Sequence, residues 1–272
     1  MPDSMVALKA APVDTSAAEA FETYLVPTIF GPWSEMLVDL ADPKPGEALL
    51  DVGCGTGAAV RYAARRLGRK VSYAAIDLNP GMIAYAGTLD RAGRVDWRRG
   101  DVTAMPFADG AFDAIVGNQL LQFLPDRAAA LAEMTRVLKD SGRAVFNVYC
   151  RLDLCPGHCA VARALEKHDV DPAGILNPYS FGDPAALGDA LQAAGFRDVS
   201  VVRRTMESRF ASAAAFVAAL AAGGPSARHA LEQLDADGLR QVVDAVSQTL
   251  SDYVDADGVR IVTASNVALV RR

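Results

Sequence analysis

A glycine-rich turn lies in the stretch Leu50-Asp-Val-Gly-Cys-Gly-Thr-Gly57, directly after a short apolar run. The run, residues 48–52, is bounded by turn residues and predicts a strand buried on both faces of a sheet. Residues 58–67 have the composition of a helix. Glycines between a strand and a helix allow a ligand to approach the backbone, and a helix N-terminus favours electron-rich groups. The stretch therefore predicts a ligand site at the carboxyl end of a buried strand.

Strands and helices alternate on both sides of this turn. Strands are predicted at 48–52, 71–76, 95–98, 112–117, 143–149, 198–203 and 259–270. Helices are predicted at 58–67, from Asn79-Pro80 onward, at 127–138, around 160–168, at 183–194 and through 212–250, with two short helices between 17 and 40. This order is typical of βαβ crossovers. It predicts an α/β, Rossmann-like fold with a seven-stranded, mostly parallel sheet, helices on both faces and a helical lid or insert.

The same pattern predicts one domain behind a mobile tail at residues 1–15. The domain, residues 16–272, divides into an N-terminal helical cap (16–45), a cofactor-binding core (46–149), a lid segment (150–182), a return to the core (183–210), a helical insert (211–252) and a final strand (253–272).

Composition indicates a folded protein that acts on something small. Of the 272 residues, 51% are hydrophobic and 22% are charged, and 27 Lys and Arg against 33 Asp and Glu give a net charge of −6. An acidic balance argues against nucleic acid as the partner, because gripping phosphates needs a basic face. The N-terminus has no signal-like apolar core, and the longest apolar run (Ala213 to Ala222) is too short to cross a bilayer. We expect a cytoplasmic protein without stable membrane insertion.

The four cysteines do not form a disulfide framework or a zinc site. Cys150, Cys155 and Cys159 lie near His158, but neither a C-x-x-C pair nor a distant partner pair accompanies them. The sequence therefore predicts no bound metal.

Carboxylates follow three of the predicted strands and indicate what the ligand is. Asp77 lies twenty residues beyond Gly57, where it could accept both hydroxyls of a ribose. Asp51 precedes the turn and could meet a cationic amino group, whereas Asp101 could accept an adenine amino proton. Asn118-Gln119 ends the fourth strand at the same sheet edge. These positions describe a cofactor with an amino-acid end, a ribose and an adenine, and without a pyrophosphate.

Other readings remain open at this point. The run Gly53-x-Gly55-x-x-Ala58 satisfies the loose dinucleotide fingerprint, which is compatible with a nicotinamide-dependent oxidoreductase. No Tyr-x-x-x-Lys pair accompanies it, and that reading leaves Asp101 unexplained. A non-catalytic cofactor-binding module is a further alternative.

The ordered motifs resemble the class I S-adenosylmethionine-dependent methyltransferases, in particular the small-molecule group that includes the ubiquinone/menaquinone-type enzymes. The motifs are Leu50-Asp-Val-Gly-Cys-Gly-Thr-Gly57, Ile76-Asp-Leu-Asn-Pro-Gly-Met82, Gly100-Asp-Val-Thr-Ala-Met-Pro-Phe107, Asp109-Gly-Ala-Phe-Asp113, Leu121-Gln-Phe-Leu-Pro-Asp126 and Arg136-Val-Leu-Lys-Asp-Ser-Gly142. Residues 48–149 match well and 179–201 loosely. The resemblance implies transfer of a methyl group from S-adenosyl-L-methionine to a small-molecule O, N or C acceptor by in-line displacement, with S-adenosyl-L-homocysteine as product.

The resemblance also implies roles for individual residues. It places Gly53, Cys54, Gly55 and Gly57 against the cofactor, with Asp51 near its amino group and Asp77 on the ribose. Leu78 or Met82 would pack against the adenine, and Asp101 and Val102 would contact the adenine edge. Asn118 would contact the methionine portion, Gln119 would face the substrate, and Tyr24 would lie over the sulfonium. These are expectations for the sites of contact with S-adenosylmethionine.

Catalysis needs a base only if the acceptor arrives protonated. His158 and His168 lie after the fifth strand, where the family builds its lid, and either could act as that base. Tyr179 is a comparable candidate, and Gln119 completes the predicted catalytic set. His229 is expected to be structural or exposed. The best candidate acceptor is a small apolar or aromatic molecule, and the helices of the insert could also form a homodimer interface.

Overall fold

The computed structural model describes residues 13–224 and 227–272. The first twelve residues of the predicted mobile tail lie outside the described part of the chain. No described helix has the length and apolarity that crossing a membrane requires.

The fold is a single mixed sheet with helices on both faces, which confirms the predicted class. Its strands are β1 (Ala48–Val52), β2 (Ser72–Asp77), β3 (Val95–Arg99), β4 (Phe112–Asn118), β5 (Leu138–Tyr149), β6 (Arg197–Phe210), β7 (Val254–Asp255) and β8 (Gly258–Arg271). Seven of them lie in the order β3-β2-β1-β4-β5-β8-β6, and the two-residue β7 pairs with β8. The pairs among β1 to β5 are parallel, whereas β8 runs antiparallel to both β5 and β6. The carboxyl ends of β1, β2 and β4 therefore meet at one edge.

Helices cover the sheet on two sides. They are α1 (Ser16–Ala20), α2 (Gly31–Ala41), α3 (Ala58–Leu67), α4 (Pro80–Leu89), α5 (Arg127–Val137), α6 (Pro156–Glu166), α7 (Ala173–Leu176), α8 (Pro184–Ala193), α9 (Ala213–Gly223), α10 (Ala227–Leu231) and α11 (Ala236–Thr249). The first core joins α2, α3, α6, α9 and α11 to one face, and the second joins α5 and α8 to the other. Because neighbouring strand residues alternate between these cores, the strands read as continuous apolar runs.

The N-terminal segment forms one helical run instead of the two short helices that the sequence predicts. A π-helical segment (Phe21–Phe30) joins α1 to α2 without a break and contains Pro27. Proline removes a backbone N–H and crowds the preceding turn of an α-helix, and the wider π turn accommodates it. Pro32 follows directly in the first turn of α2, at the junction with the π-helical segment. The prediction of a helical cap holds, and the predicted interruption is wrong.

Two strand boundaries also differ from the prediction. β5 begins at Leu138 rather than at Arg143, because residues 139–142 bulge out of the ladder between two paired positions. Lys139 in this bulge forms an ion pair of 2.7 Å with Asp113 on the neighbouring strand β4, which holds the bulge against the sheet. β6 extends to Phe210 rather than to Arg203, because it pairs with β8 along its length. In residues 204–210 only Met206 and Phe210 are apolar, and the side chains between them are exposed or polar, so no apolar run reveals this part of the strand.

The helical insert between β6 and β8 consists of three helices, α9 to α11, rather than one continuous helical stretch. Ser212 and Asp235 accept hydrogen bonds from backbone amides at the starts of α9 and α11. α9 packs against the π-helical segment and α11 packs against α6. The insert therefore packs against both the N-terminal helical segment and the segment at 150–182.

Candidate active site

The glycine turn after β1 has the conformation that glycine permits. Gly53, Gly55 and Gly57 all have positive φ, at 62°, 54° and 80°. Gly53 and Gly55 line a cavity of about 330 Å³ at the carboxyl edge of the sheet. Gly57 is not among the residues that line it, and a Cβ atom there would come within 2.3 Å of the Trp97 ring. Gly57 therefore allows close packing at the start of α3, and its contact with the cofactor stays a prediction.

Asp51 is buried at the end of β1 and lines the same cavity. Its Oδ2 accepts a hydrogen bond of 3.1 Å from the Val60 amide of α3, and Oδ1 receives none from the described residues. Burial raises the pKa of the Asp51 carboxyl to about 7, and the nearby Asp77 carboxylate adds to the rise. A buried carboxylate with one oxygen facing the cavity suits a cationic ligand group.

Asp77 holds the turn in place from the end of β2. Its Oδ2 accepts a hydrogen bond from the Gly55 amide and its Oδ1 accepts one from the Asn79 amide, both at 2.8 Å. Burial raises the pKa of this carboxyl above its ordinary value. Each oxygen has a second lone pair, so the carboxylate can still accept hydrogen bonds from two ligand hydroxyls.

The remaining predicted adenine contacts line an adjoining cavity of about 450 Å³. Leu78, Asp101 and Val102 line this second space, which shares Gly53 and Asp77 with the first. Asp101 accepts hydrogen bonds of 2.8 Å from both the backbone and the hydroxyl of Thr103, and these hold its pKa below the ordinary value. The two cavities form a continuous path along the strand ends. We call them together the cofactor groove.

Most of the predicted cofactor residues come together in this groove. Those that line the 330 Å³ cavity are Asp51, Gly53, Cys54, Gly55, Asp77, Met82, Asn118 and Gln119. The sequence does not single out the other eight lining residues, which are Phe21, Phe30, Ser34, Ala58, Ala59, Asn79, Leu120 and Phe123. Asn79 and Phe123 lie within quoted motifs, whereas the cap residues Phe21, Phe30 and Ser34 belong to none of them.

Tyr24 does not occupy the place predicted for it. It is 49% exposed and lines none of these cavities. Phe21 and Phe30, from the same helical segment, supply the aromatic wall instead, with ring centroids 4.8 Å apart. The π-helical winding turns Phe21 and Phe30, rather than Tyr24, toward the glycine turn, and an aromatic residue of the cap over the sulfonium stays a prediction.

Asn118 and Gln119 follow the end of β4 and face different surroundings. Asn118 donates to the Phe30 carbonyl at 3.0 Å and to the Ser34 hydroxyl at 2.9 Å, and its Oδ1 is buried without a partner. Gln119 has a positive φ of 56°, donates to the Ser265 hydroxyl and accepts from the Gln122 amide, both at 2.8 Å. Both ends of this amide are therefore engaged inside the protein, although Gln119 also lines the 330 Å³ cavity, and its predicted position facing the substrate stays a prediction.

A smaller cavity of about 70 Å³ adjoins the groove across Phe30 and Phe123. We call it the aromatic cavity. It is lined by His158 from α6, by Tyr179, by Tyr149 at the end of β5, and by aliphatic side chains of the cap and insert. His168 and His229 do not line it. The structure therefore brings together two of the predicted catalytic residues, His158 and Tyr179, and leaves His168 outside.

The buried polar atoms without partners are concentrated here. Within the described residues, five buried side-chain N or O atoms lack a hydrogen-bond partner: Asn118 Oδ1, Gln122 Oε1, Asn147 Nδ2, His158 Nδ1 and Tyr179 Oη. Three belong to residues lining the groove or the aromatic cavity, and the other two belong to residues hydrogen-bonded to Gln119. Unpaired buried polar groups are costly, so their grouping indicates a ligand site.

Cys150 and Cys155 are buried and hydrogen-bonded within the fold. Cys155 accepts a hydrogen bond of 3.3 Å from the Ala264 amide, and Cys150 donates to Asn266 at 3.3 Å. Among residues 13–224 and 227–272, no group of three His, Cys, Asp or Glu side chains is placed to hold a metal ion.

Comparison with known proteins identifies the family. A family model described as a methyltransferase domain matches residues 50–146. Nocamycin O-methyltransferase of Saccharothrix syringae is 34% identical over 205 residues, which cover 69% of this chain and 72% of that protein. A phosphoethanolamine N-methyltransferase of Triticum aestivum is 30% identical over 62% of this chain, which spans only 31% of that longer protein.

Solved structures show the same fold. Phosphoethanolamine N-methyltransferase 2 of Haemonchus contortus, in complex with phosphomonomethylethanolamine and S-adenosylhomocysteine, has a TM-score of 0.60 and 18% identity over 94% of this chain and 56% of that one. Geranyl diphosphate C-methyltransferase of Streptomyces coelicolor has a TM-score of 0.53 and 16% identity over 89% of this chain and 76% of that one.

The nicotinamide alternative finds no support among these relatives. The chain belongs to the class I S-adenosylmethionine-dependent methyltransferases, within the group that acts on small molecules, and is an enzyme.

Proposed function

We propose that the protein holds S-adenosylmethionine in the cofactor groove and an apolar or aromatic acceptor in the aromatic cavity. One observation carries the proposal. The groove, lined by carboxylates, and the cavity, lined by uncharged side chains among the described residues, meet at Phe30 and Phe123. A cationic cofactor and an uncharged acceptor would then face each other across that boundary.

The residues of the groove fit S-adenosylmethionine. Asp51 would hold the amino group with its free oxygen, and Asp77 would hold the ribose hydroxyls. Leu78, Met82, Asp101 and Val102 would surround the adenine. The unpaired Oδ1 of Asn118 is a further acceptor at the groove for the methionine portion. These donors and acceptors match a molecule with an amino-acid end, a ribose and an adenine.

The cofactor supplies an electrophilic methyl group on a sulfonium sulfur. The protein has to exclude water and hold the acceptor nucleophile about 3–3.5 Å from the methyl carbon, in line with the bond to be broken. Phe30 and Phe123 line both the cofactor groove and the aromatic cavity and would exclude water where the two meet. The buried Tyr149 and Ile175 line the aromatic cavity, on the acceptor side. We propose that residues 150–182 act as the lid, because His158, Ile175 and Tyr179 all come from that segment.

Calorimetric titration with S-adenosylhomocysteine, NAD and NADP tests this function. We expect micromolar or tighter binding of S-adenosylhomocysteine and no binding of either nicotinamide. Binding of a nicotinamide alone would show that the turn from Gly53 to Ala58 is a dinucleotide site and would contradict the assignment of Asp101.

Location and assembly are finer proposals. We propose a cytoplasmic enzyme whose exposed insert, α9 to α11, could join two copies. Light scattering at micromolar concentration would distinguish a dimer of about twice the chain mass from a monomer, and cell fractionation would check the location.

A further inference from the structure

The aromatic cavity is apolar except where His158 and Tyr179 line it, and these two side chains can select which ligand binds. His158 and Tyr179 are 7% and 8% exposed. Nδ1 of His158 lacks a hydrogen-bond partner, and the Tyr179 hydroxyl has beside it only the Cys155 thiol, a weak hydrogen-bonding group. No other side chain of the described lining brings an unpaired buried polar atom to the cavity. The two groups therefore define a small built site within an apolar enclosure.

Packing fixes both rings in place. Tyr149 stacks on Tyr179 with ring centroids 5.0 Å apart, and Phe216 meets the His158 ring edge to face at 5.2 Å. The two rings of the polar end lie 6.0 Å apart, centroid to centroid. Rigid, desolvated groups of this kind discriminate between ligands, because a ligand that leaves them unpaired loses the full cost of their burial.

The pair offers one hydrogen-bond donor and one acceptor. Burial lowers the pKa of His158 to about 4, so its imidazole is neutral near pH 7 and always presents one nitrogen lone pair. Burial raises the pKa of the Tyr179 phenol well above its usual range, so it remains an O–H donor. A hydroxyl group complements both, since its proton can go to the imidazole and its oxygen can accept from the phenol.

The absence of charge in the described lining argues against acceptors that carry a charge. A protonated amine would need a carboxylate, and a phosphate would need a cation, yet the described lining has neither. Burying an unpaired ion in such a place is strongly unfavourable. The relatives whose names carry phosphoethanolamine and geranyl diphosphate act on phosphorylated compounds, and this cavity is unsuited to phosphate.

On this basis we propose that the methyl acceptor is an uncharged hydroxyl on an apolar ring, a phenol or an enol, and that His158 receives its proton. The inference rests on the proposed function and narrows its substrate class. The acceptor oxygen forms the new O–CH3 bond while the carbon–sulfur bond breaks with its electron pair remaining on sulfur. The hydroxyl proton passes to the imidazole of His158 as the carbon–sulfur bond breaks, because an oxygen that kept both the methyl group and the proton would be a far stronger acid than the imidazolium. Burial makes the imidazolium acidic, so it releases the proton once the product leaves and water enters. The cavity has room for several non-hydrogen atoms, since one water needs about 10–15 Å³.

Binding of three small probes to the protein saturated with S-adenosylhomocysteine tests this proposal. The probes are phenol, benzene and phenyl phosphate, which differ at one position of the same ring. We expect phenol to bind about three- to tenfold more tightly than benzene, the effect of one or two net hydrogen bonds, and phenyl phosphate to bind more weakly than either. His158→Phe and Tyr179→Phe should each remove most of the preference for phenol over benzene.

His168→Phe is the matched control, because that histidine lies outside the cavity, and it should keep the preference. Equal or tighter binding of phenyl phosphate would overturn the proposal. So would a preference for phenol that survives both substitutions, or the failure of all three probes to bind. Affinity for S-adenosylhomocysteine, measured first on the wild type and on each variant, separates the proposed function from this inference. A wild type that does not bind S-adenosylhomocysteine contradicts the proposed function. A wild type that binds it but shows no preference for phenol contradicts this inference alone.

Discussion

The cofactor groove and the aromatic cavity are built in opposite ways. Asp51, Asp77 and Asn118 each lie at the end of a strand, and their positions follow from motifs that are contiguous in the sequence. The aromatic cavity instead gathers residues from the cap, from the end of β5, from α6 and from the insert. The first region is charged and hydrogen-bonded to backbone amides, and the second is uncharged with two unpaired polar atoms.

This difference separates two tasks. In the function that we propose, the charged cofactor is recognised at the edge of a rigid sheet, where parallel strands place carboxylates side by side. The acceptor is recognised by a cover that depends on tertiary packing. Changes in the groove should therefore alter cofactor affinity, and changes in the cavity should alter acceptor choice.

The largest expected effect comes from Asp77→Ala. It removes the carboxylate that orients the Gly55 and Asn79 amides and that would accept two ribose hydroxyls. Charged hydrogen bonds contribute about 1.5–3 kcal/mol each, so we expect S-adenosylhomocysteine to bind at least about 100-fold more weakly by calorimetry. Asp96→Ala, which removes an exposed carboxylate paired with Arg98 on β3, is the control and should leave affinity unchanged. If Asp77→Ala weakened S-adenosylhomocysteine binding by less than about threefold, the proposal that the groove binds the cofactor would be contradicted.

An intermediate effect is expected from pH through Asp51. Its pKa of about 7 means that the carboxyl is largely protonated at pH 6 and ionised at pH 8. Only the ionised form pairs with the ammonium group of the ligand, so affinity for S-adenosylhomocysteine should rise about tenfold from pH 6 to pH 8, with proton release on binding. Titrations in buffers of different ionisation enthalpy measure both quantities. Asp51→Asn should bind more weakly and lose this dependence, and an unchanged pH profile in that variant would assign the titration to another group.

The smallest expected effect sharpens the boundary between the two regions. Phe30 lines both spaces and Tyr24 lines neither. An aromatic face near a cation contributes about 1 kcal/mol, so Phe30→Leu should weaken S-adenosylmethionine binding about fivefold more than it weakens binding of the uncharged thioether product. Tyr24→Leu should change both affinities by less than about twofold. The reverse ranking would restore Tyr24 as the residue over the sulfonium.

Sequence reasoning predicts the groove well because its chemistry is local. The positions of Asp51 and Asp77 follow from an apolar strand and the residue that ends it, and Asn79-Pro80 correctly marks the start of α4. The sheet class and the helices on both faces follow from the alternation of short apolar runs with helical segments.

The features that the sequence does not reveal depend on contacts between distant segments. The side of the cap that faces the glycine turn depends on π-helical winding, so the sequence does not distinguish Tyr24 from Phe21 and Phe30 as the aromatic residue there. The engagement of Gln119 with Ser265 joins β4 to β8 across 146 positions of the chain. No local pattern encodes such a pairing.

A crystal structure with S-adenosylhomocysteine and phenol bound together would test the division between groove and cavity most directly. We expect the amino group at Asp51, the ribose hydroxyls at Asp77 and the adenine between Met82 and Val102. The phenol oxygen should lie within hydrogen-bonding distance of His158 and Tyr179, with its ring on the far side of Phe30 from the carboxylates. Adenosine bound away from Asp77, or phenol bound outside the aromatic cavity, would contradict the assignment.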